Sequence, residues 1–210
     1  MSVVPIDPPA KGAIPMQSVK IPFLGLLSFC LTVSLSFTAQ SAELTIGQAV
    51  PEFSALDDQG KSWKLSEHTG EKFLVVYFYP ADMTGGCTKQ ACGFRDDSGK
   101  LQELNAEVVG VSGDSVENHQ LFKSVHQLNF TLLSDSEGSV AKVFGVSTRP
   151  GGSIKRVIEG KSVTLTRSVT TNRWTFVIAP DGSLIYKNTK VNAAKDSEEI
   201  IKLLSSRQSK

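Results

Sequence analysis

Apolar residues in this chain follow two rhythms, and each predicts its own elements. Phe73 to Tyr79 is a continuous apolar, aromatic and β-branched run, the pattern of a strand buried on both faces. Val108 to Ser112 and Trp174 to Ala179 repeat it. Phe53 to Leu65, interrupted by Asp57-Asp58-Gln59-Gly60, predicts a hairpin, because apolar flanks surround a glycine-containing turn. Pro180-Asp181-Gly182-Ser183 predicts a second one, turning the Trp174 strand into Leu184 to Lys187. Alternating runs on either side of Glu159-Gly160-Lys161 predict an extra hairpin within Thr148 to Asn172. A helical period takes over from about Cys87 to Asn105, with Phe94, Leu101 and Leu104 on the apolar face. Asp114 and Ser115 can cap a helix running to about Gln127, with Leu121, Val125 and Leu128 facing inward. Thr131 to Leu133 reads as a short strand, and Gly138 to Phe144 and Ser197 to Leu204 as helices. Ser66 opens a short polar helix or loop that contains His68.

Strands alternating with helices predict an α/β protein with right-handed crossovers, and the closing hairpin adds antiparallel pairing. The architecture that fits is a mixed central sheet flanked by helices, a thioredoxin-like fold with an N-terminal β-hairpin extension.

The first 42 residues do not belong to that pattern. Four of the nine prolines, with Lys11 and Lys20, precede an uncharged apolar stretch from about Ile21 to Phe37. It ends in small and polar residues, Thr38 to Ala42. Basic flank, apolar middle and small-residue end predict a secretory signal peptide over residues 1–42, cleaved near Ala42. The stretch is shorter than the roughly 20 apolar residues that span a bilayer, and an uncleaved anchor is the alternative. Residues 43–210 then form the functional domain, exported to a periplasm or lumen. It retains two of the three cysteines, Cys87 and Cys92. A formal net charge of +1 gives no reason to expect nucleic acid or an anionic membrane as partner.

The two cysteines carry the candidate chemistry. Cys87 lies just after the Phe73 strand and Pro80, at the start of a helix. Backbone N–H groups there have no intrahelical partner, and the helix dipole favours negative charge, so the position suits a thiolate nucleophile. Five residues separate Cys87 from Cys92, and on an intact helix their Cα atoms stand roughly 8.7 Å apart. A disulfide tolerates about 7 Å at most, so the pair can bond only if the first helical turns open. The spacing differs from the C-x-x-C of disulfide oxidoreductases. Two thiols and three dispersed histidines fall short of a structural zinc site.

The run from Tyr79 to Cys92 resembles the active-site pattern of the peroxiredoxins, Pro-x-x-x-Thr-x-x-Cys, with Pro80, Thr84 and Cys87 at matching positions. A second cysteine five residues on is similar to the bacterioferritin-comigratory, or Q-type, branch. The resemblance spans about Leu44 to Leu204. It implies a thiol peroxidase that needs no metal, haem or flavin. Cys87 would attack a hydroperoxide and become a sulfenic acid. Thr84 would bind thiolate and peroxide through its hydroxyl, and Pro80 would shield the site. Arg173 would enter the same pocket and stabilise developing negative charge. Cys92 would resolve the sulfenic acid as an intramolecular disulfide, and thioredoxin or a similar dithiol would reduce that disulfide. The resemblance implies a monomer or weak dimer. Two residues depart from the family pattern: Gly85 stands where proline is usual, and Gln90 where glutamate is usual. The 154–172 segment also looks longer than in the family. Two other readings of the cysteines are an external thiol in place of Cys92 and a thioredoxin-fold copper-binding module.

Other residues have plainer expectations. His68, His119 and His126 sit on polar segments and read as surface residues. Arg95 is expected to pair with Asp96, Asp97 or a nearby carboxylate. Arg149 is a second candidate for the pocket cation, although its Pro-Gly-Gly surroundings suggest a solvated loop. Trp63 and Trp174 read as packing residues.

Overall fold

The computed structural model describes residues 44–208, and the leader expected over residues 1–42 lies outside them. The N-terminal hairpin pairs β1 (Ser54–Asp57) with β2 (Ser62–Lys64). A single 3-10 turn, Leu65–Glu67, leads towards β3 (Phe73–Phe78), where every residue after Phe73 is buried. Helices α1 (Gly85–Asp96) and α2 (Ser98–Glu103) follow, then β4 (Ala106–Ser112), α3 (Val116–His126), β5 (Thr131–Ser134) and α4 (Ser139–Phe144). A long ribbon of β6 (Thr148–Ile158) and β7 (Lys161–Thr171) precedes β8 (Trp174–Ile178), β9 (Leu184–Asn188) and α5 (Asp196–Gln208).

Seven strands form one mixed sheet in the order β2-β1-β5-β4-β3-β8-β9. Its centre, β5-β4-β3, is parallel, and the outer pairings are antiparallel. This is the predicted thioredoxin-like architecture, with the N-terminal hairpin joined to the sheet edge through β5. Because β3 is central, its alternating side chains feed two cores. Leu74, Val76 and Phe78 join Phe144, Phe176 and Trp63 on one face. Val75, Tyr77 and Tyr79 join Phe94, Leu101, Phe122 and Leu204 on the other. Burying large aromatic and aliphatic side chains on both faces is worth about 1.5–3 kcal/mol each before entropy is counted.

Two elements differ from expectation. The long helix after Pro80 starts at Gly85 and breaks at Asp97, where Ser98 and Gly99 are poor helix formers. Asp97 instead accepts hydrogen bonds from Lys100 Nζ (2.8 Å) and Ser197 Oγ (2.9 Å), which ties the break to α5. Helix α3 is capped by Ser115 as expected, its Oγ accepting from Asn118 N. Its inward face is His119 and Phe122, whereas Leu121 is half-buried and Val125 is 40% exposed.

The predicted extra hairpin is present and turns at Glu159 and Gly160, both with positive φ. It leans back onto the domain rather than projecting free. Ser168 N donates to Gly113 O, and Asn118 Nδ2 to Thr166 O. A Cβ on Gly113 would meet Val169 O at 2.2 Å, so only glycine admits β7 there.

Candidate active site

Strand β3 ends at Phe78, and the chain crosses Tyr79 to Thr84 before α1 begins. Tyr79, Ala81 and Asp82 in this loop are buried, and Pro80 is half-buried at its start. The residues from Thr84 to Gly86 read as turn material in the sequence, but the positive φ of this loop falls on Met83, at 58°. A non-glycine residue pays a steric penalty of about 1–2 kcal/mol in that region, so its surroundings must hold it. Arg156 of β6 does so, donating from Nε to Met83 O at 2.8 Å. The ribbon therefore grips the loop directly. Gly85 has open space where its Cβ would be and no positive φ, so nothing in the structure explains glycine in place of proline there.

Thr84 is the N-cap of α1 by backbone, its carbonyl accepting from Thr88 N at 2.8 Å. Its hydroxyl does not cap the helix. It donates to Ala81 O at 2.9 Å, which leaves the oxygen lone pairs as acceptors. Cys87 follows in the first turn of α1, 1% exposed and packed in the cluster of Tyr77, Tyr79 and Ala91. Arg173, between β7 and β8, donates from Nη2 to Cys87 Sγ at 3.2 Å. Its Nη1 donates to the side-chain oxygen Oε1 of Gln90. A fixed guanidinium charge thus meets a sulfur at the positive end of a helix, and both favour an anion there. Thr171 Oγ1 donates to Tyr79 O at 2.8 Å and ties the strand that delivers Arg173 to the loop that delivers Cys87.

Cys92 lies further along the same unbroken helix, half-buried, and both cysteines are free thiols. Arg95 interacts with Cys92, although its principal partner is Asp96, at 2.7–2.8 Å. Arg149 is exposed on β6 and makes no described contact with the site. Of the five residues singled out by sequence, the structure brings Cys87 and Arg173 into contact. Thr84 and Pro80 flank them on the loop, and Cys92 sits one and a half turns along α1.

The structure adds three residues to the site, Gln90, Asp196 and Thr175. Gln90 stands out in the sequence only as a departure from the family pattern. It is 1% exposed and passes a hydrogen bond from Nε2 to Asp196 Oδ2, 2.7 Å away. Thr175 Oγ1 donates to the same oxygen at 2.7 Å. Burial raises the pKa of Asp196, and the bonds from Thr175 and Gln90 act against that shift.

On the other side of the loop lies the second surprise. His119, expected at the surface, is fully buried with Nδ1 2.8 Å from Asp82 Oδ2. Tyr79 donates its hydroxyl to Asp82 Oδ1 at 2.7 Å, and burial pushes the tyrosine pKa well up, so it remains a donor. Burial opposes a charge on His119, but contact with Asp82 and the field of Asp114 outweigh it and raise the pKa. Asp114 accepts from Asp82 N at 3.0 Å and from Ser112 Oγ at 2.9 Å, and its own pKa is raised by burial. The other two histidines are half-buried, His68 against Glu107 at 2.8 Å and over Trp63 at 4.3 Å between ring centroids. Among the described residues no group of three His, Cys, Asp or Glu side chains is placed to share a metal ion.

The AhpC/TSA family model matches residues 46–187 of this chain. The chain is a member of that peroxiredoxin family. Over 199 residues it is 39% identical to a chloroplastic peroxiredoxin Q of Populus jackii, spanning 90% of this chain and 84% of that protein. It is 38% identical to peroxiredoxin Bcp of Bacillus subtilis over 161 residues, 77% of this chain and 95% of that one. The solved structure of peroxidoxin BcpB from Mycobacterium tuberculosis matches with a TM-score of 0.65 at 33% identity, over 78% of this chain and 98% of that one. A peroxiredoxin is a thiol-dependent peroxidase, and that class of oxidoreductase is the one this chain belongs to.

Proposed function

We propose that Cys87 is the peroxidatic sulfur and that Cys92 resolves it. The observation that carries the reading is the Arg173 guanidinium 3.2 Å from Cys87 Sγ, at the N-terminus of α1. Pro80, half-buried at the start of the loop, would shield the sulfur. The substrate would be hydrogen peroxide or a small alkyl hydroperoxide. Its O–H would donate to Thr84 Oγ1, whose own proton is committed to Ala81 O. The Cys87 thiolate attacks the near peroxide oxygen, which keeps its hydrogen, the O–O bond breaks, and the departing hydroxide or alkoxide takes a proton from water. Arg173 stabilises the charge as it moves from sulfur to the leaving oxygen. The product on Cys87 is a sulfenic acid. The Cys92 thiol then displaces its hydroxyl as water and forms the disulfide. Both cysteines lie on one continuous helix, so α1 must open for this step. Thioredoxin or a similar dithiol would return both thiols by exchange. The protein would act as a monomer or weak dimer, exported to a periplasm or lumen. N-terminal sequencing of the protein from its native compartment tests the cleavage near Ala42.

The cycle is tested by peroxide consumption with a thioredoxin reducing system, comparing wild type, Cys87→Ser and Cys92→Ser. Mass analysis under non-reducing conditions follows one equivalent of peroxide. Cys87→Ser is expected to lose all activity, and only wild type should lose two hydrogens in mass. A Cys92→Ser variant with full thioredoxin-dependent turnover would transfer resolution to an external thiol. A wild type that neither consumes peroxide nor forms the disulfide ends the cycle proposed here.

A further inference from the structure

The cycle above leaves the buried carboxylate of Asp196 without a part. It is 1% exposed, at the first position of α5, 106 residues beyond Gln90. A chain of hydrogen bonds nevertheless leads from it to the reacting sulfur. Asp196 Oδ2 accepts from Gln90 Nε2, Gln90 Oε1 accepts from Arg173 Nη1, and Arg173 Nη2 reaches Cys87 Sγ.

The chemistry of these groups allows only one polarity. A guanidinium has donors and no acceptor, so Gln90 must turn its oxygen to Arg173. Its NH2 group then faces Asp196 and needs an acceptor. Asp196 Oδ2 supplies one and is itself held by Thr175 Oγ1. Without that acceptor the Gln90 amide is free to rotate and could present N–H to the guanidinium, donor against donor. Asp196 Oδ1 has no hydrogen-bond partner among the described residues. A buried carboxylate left half unsatisfied is costly, which points to a role beyond packing. A glutamate at position 90 would hold Arg173 unaided but set a carboxylate next to the guanidinium that serves Cys87. The Gln90–Asp196 couple keeps Arg173 aimed while standing the negative charge one residue further from the sulfur.

We propose that Asp196 is a positioning residue of the peroxidase reaction, acting through Gln90 to hold the Arg173 guanidinium against Cys87. The proposal rests on the reading of Cys87 as the nucleophile. The charged groups facing Asp196 are Arg173 and Glu199, with the neutral hydroxyls of Tyr77 and Tyr186 beside them; near Cys87 stand the Arg173 charge and the neutral, buried Tyr77 hydroxyl, and the variants below leave each of these in place.

The test uses the full chain and reads two quantities. One is the rate of iodoacetamide alkylation at Cys87 against pH, resolved by peptide mass analysis after tryptic cleavage at Lys89. The other is kcat/KM for hydrogen peroxide. Asp196→Ala and Gln90→Met are each expected to move half-maximal alkylation upward by about 0.5–1 pH unit and to lower kcat/KM about tenfold. The double variant should lose no more than either single one, because both cut the same chain. Asp196→Asn should stay within about twofold of wild type, since its amide oxygen still accepts from Gln90 and Thr175. Unchanged alkylation profiles in Asp196→Ala and Gln90→Met overturn the proposal, as does Asp196→Asn losing as much as Asp196→Ala. If Asp196→Ala fails to fold by circular dichroism, Gln90→Met decides alone. A Cys87→Ser variant that keeps its activity would remove the nucleophile reading, while alkylation of Cys87 would still report whether the relay exists.

Discussion

Two polar clusters flank the loop between β3 and α1, and they are built for different ends. On the α5 side, Arg173, Gln90 and Asp196 form an open line that terminates on Cys87, with Arg173 only partly buried. On the α3 side, Tyr79, Asp82, His119 and Asp114 form a closed knot in which Asp82, Asp114 and His119 are at most 1% exposed. The line keeps one charge free to act on sulfur, and the knot spends its charges on one another. Polar groups so arranged teach where to look for catalysis: at the cluster whose hydrogen-bond chain ends on a reactive atom, not at the one that is most buried.

The largest expected effect falls on the open line. Arg173→Met should lower kcat/KM about 10²–10³-fold, the usual cost of removing one donor aimed at developing charge, while stability changes by no more than about 1 kcal/mol. Stopped-flow peroxide reduction and thermal unfolding measure the two quantities on one sample. The closed knot should behave in the opposite sense. His119→Leu leaves Asp82 buried without its partner and is expected to cost about 3–5 kcal/mol, a fall in Tm on the order of 10 °C, with activity per folded molecule changing less than tenfold. If His119→Leu abolished activity without destabilising the fold, the contrast between the clusters would collapse.

The pH dependence of stability sharpens the same contrast. The pKa of His119 is raised in the folded protein, so its ion pair with Asp82 contributes fully below the unfolded value of about 6.5 and is lost as pH climbs through the higher folded value. The Tm difference between wild type and His119→Leu should therefore be greatest below about pH 6.5 and shrink in alkali. Asp196 has the reverse consequence. A carboxyl whose pKa is raised by burial destabilises the fold once pH exceeds its folded value. Asp196→Asn, the smallest effect, should raise Tm at pH 7 by about 2–4 °C, roughly 1 kcal/mol, and the gain should vanish below about pH 4. Calorimetric scans across pH give both curves.

The sequence made the sheet legible because burial writes itself into local pattern. β3, β4 and β8 are unbroken apolar runs, and the three hairpins each carry a turn residue at the right place. The contact of Cys87 with Arg173 was legible for a different reason: the two residues fall on a recognisable motif and just before a strand. Beyond Arg173, the members of the two polar clusters could not be read. His119 looks like any polar residue on an amphipathic helix, and its burial depends on Asp82, 37 positions away. A helical spacing to Phe122 was the one available hint. Met83 carries no turn signal of its own; Gly85 and Gly86, two and three residues on, draw attention instead, although the positive φ and the carbonyl held by Arg156 are those of Met83. Asp196 reads as an ordinary acidic residue at a helix start. Only the fold brings it under Gln90.

Helix α1 runs unbroken through both sulfurs, and on the proposed cycle it must unwind and rewind at every turnover. It therefore works as a clock. The interval during which the oxidised helix stays wound is the lifetime of the sulfenic acid in the peroxide pocket, and a second peroxide arriving within it drives Cys87 to the sulfinic acid. Substitutions that tighten these twelve residues would protect the protein from heat and at the same time leave it more easily inactivated by its own substrate. Endurance against temperature and endurance against oxidant are set by the same short helix, and they pull on it in opposite directions.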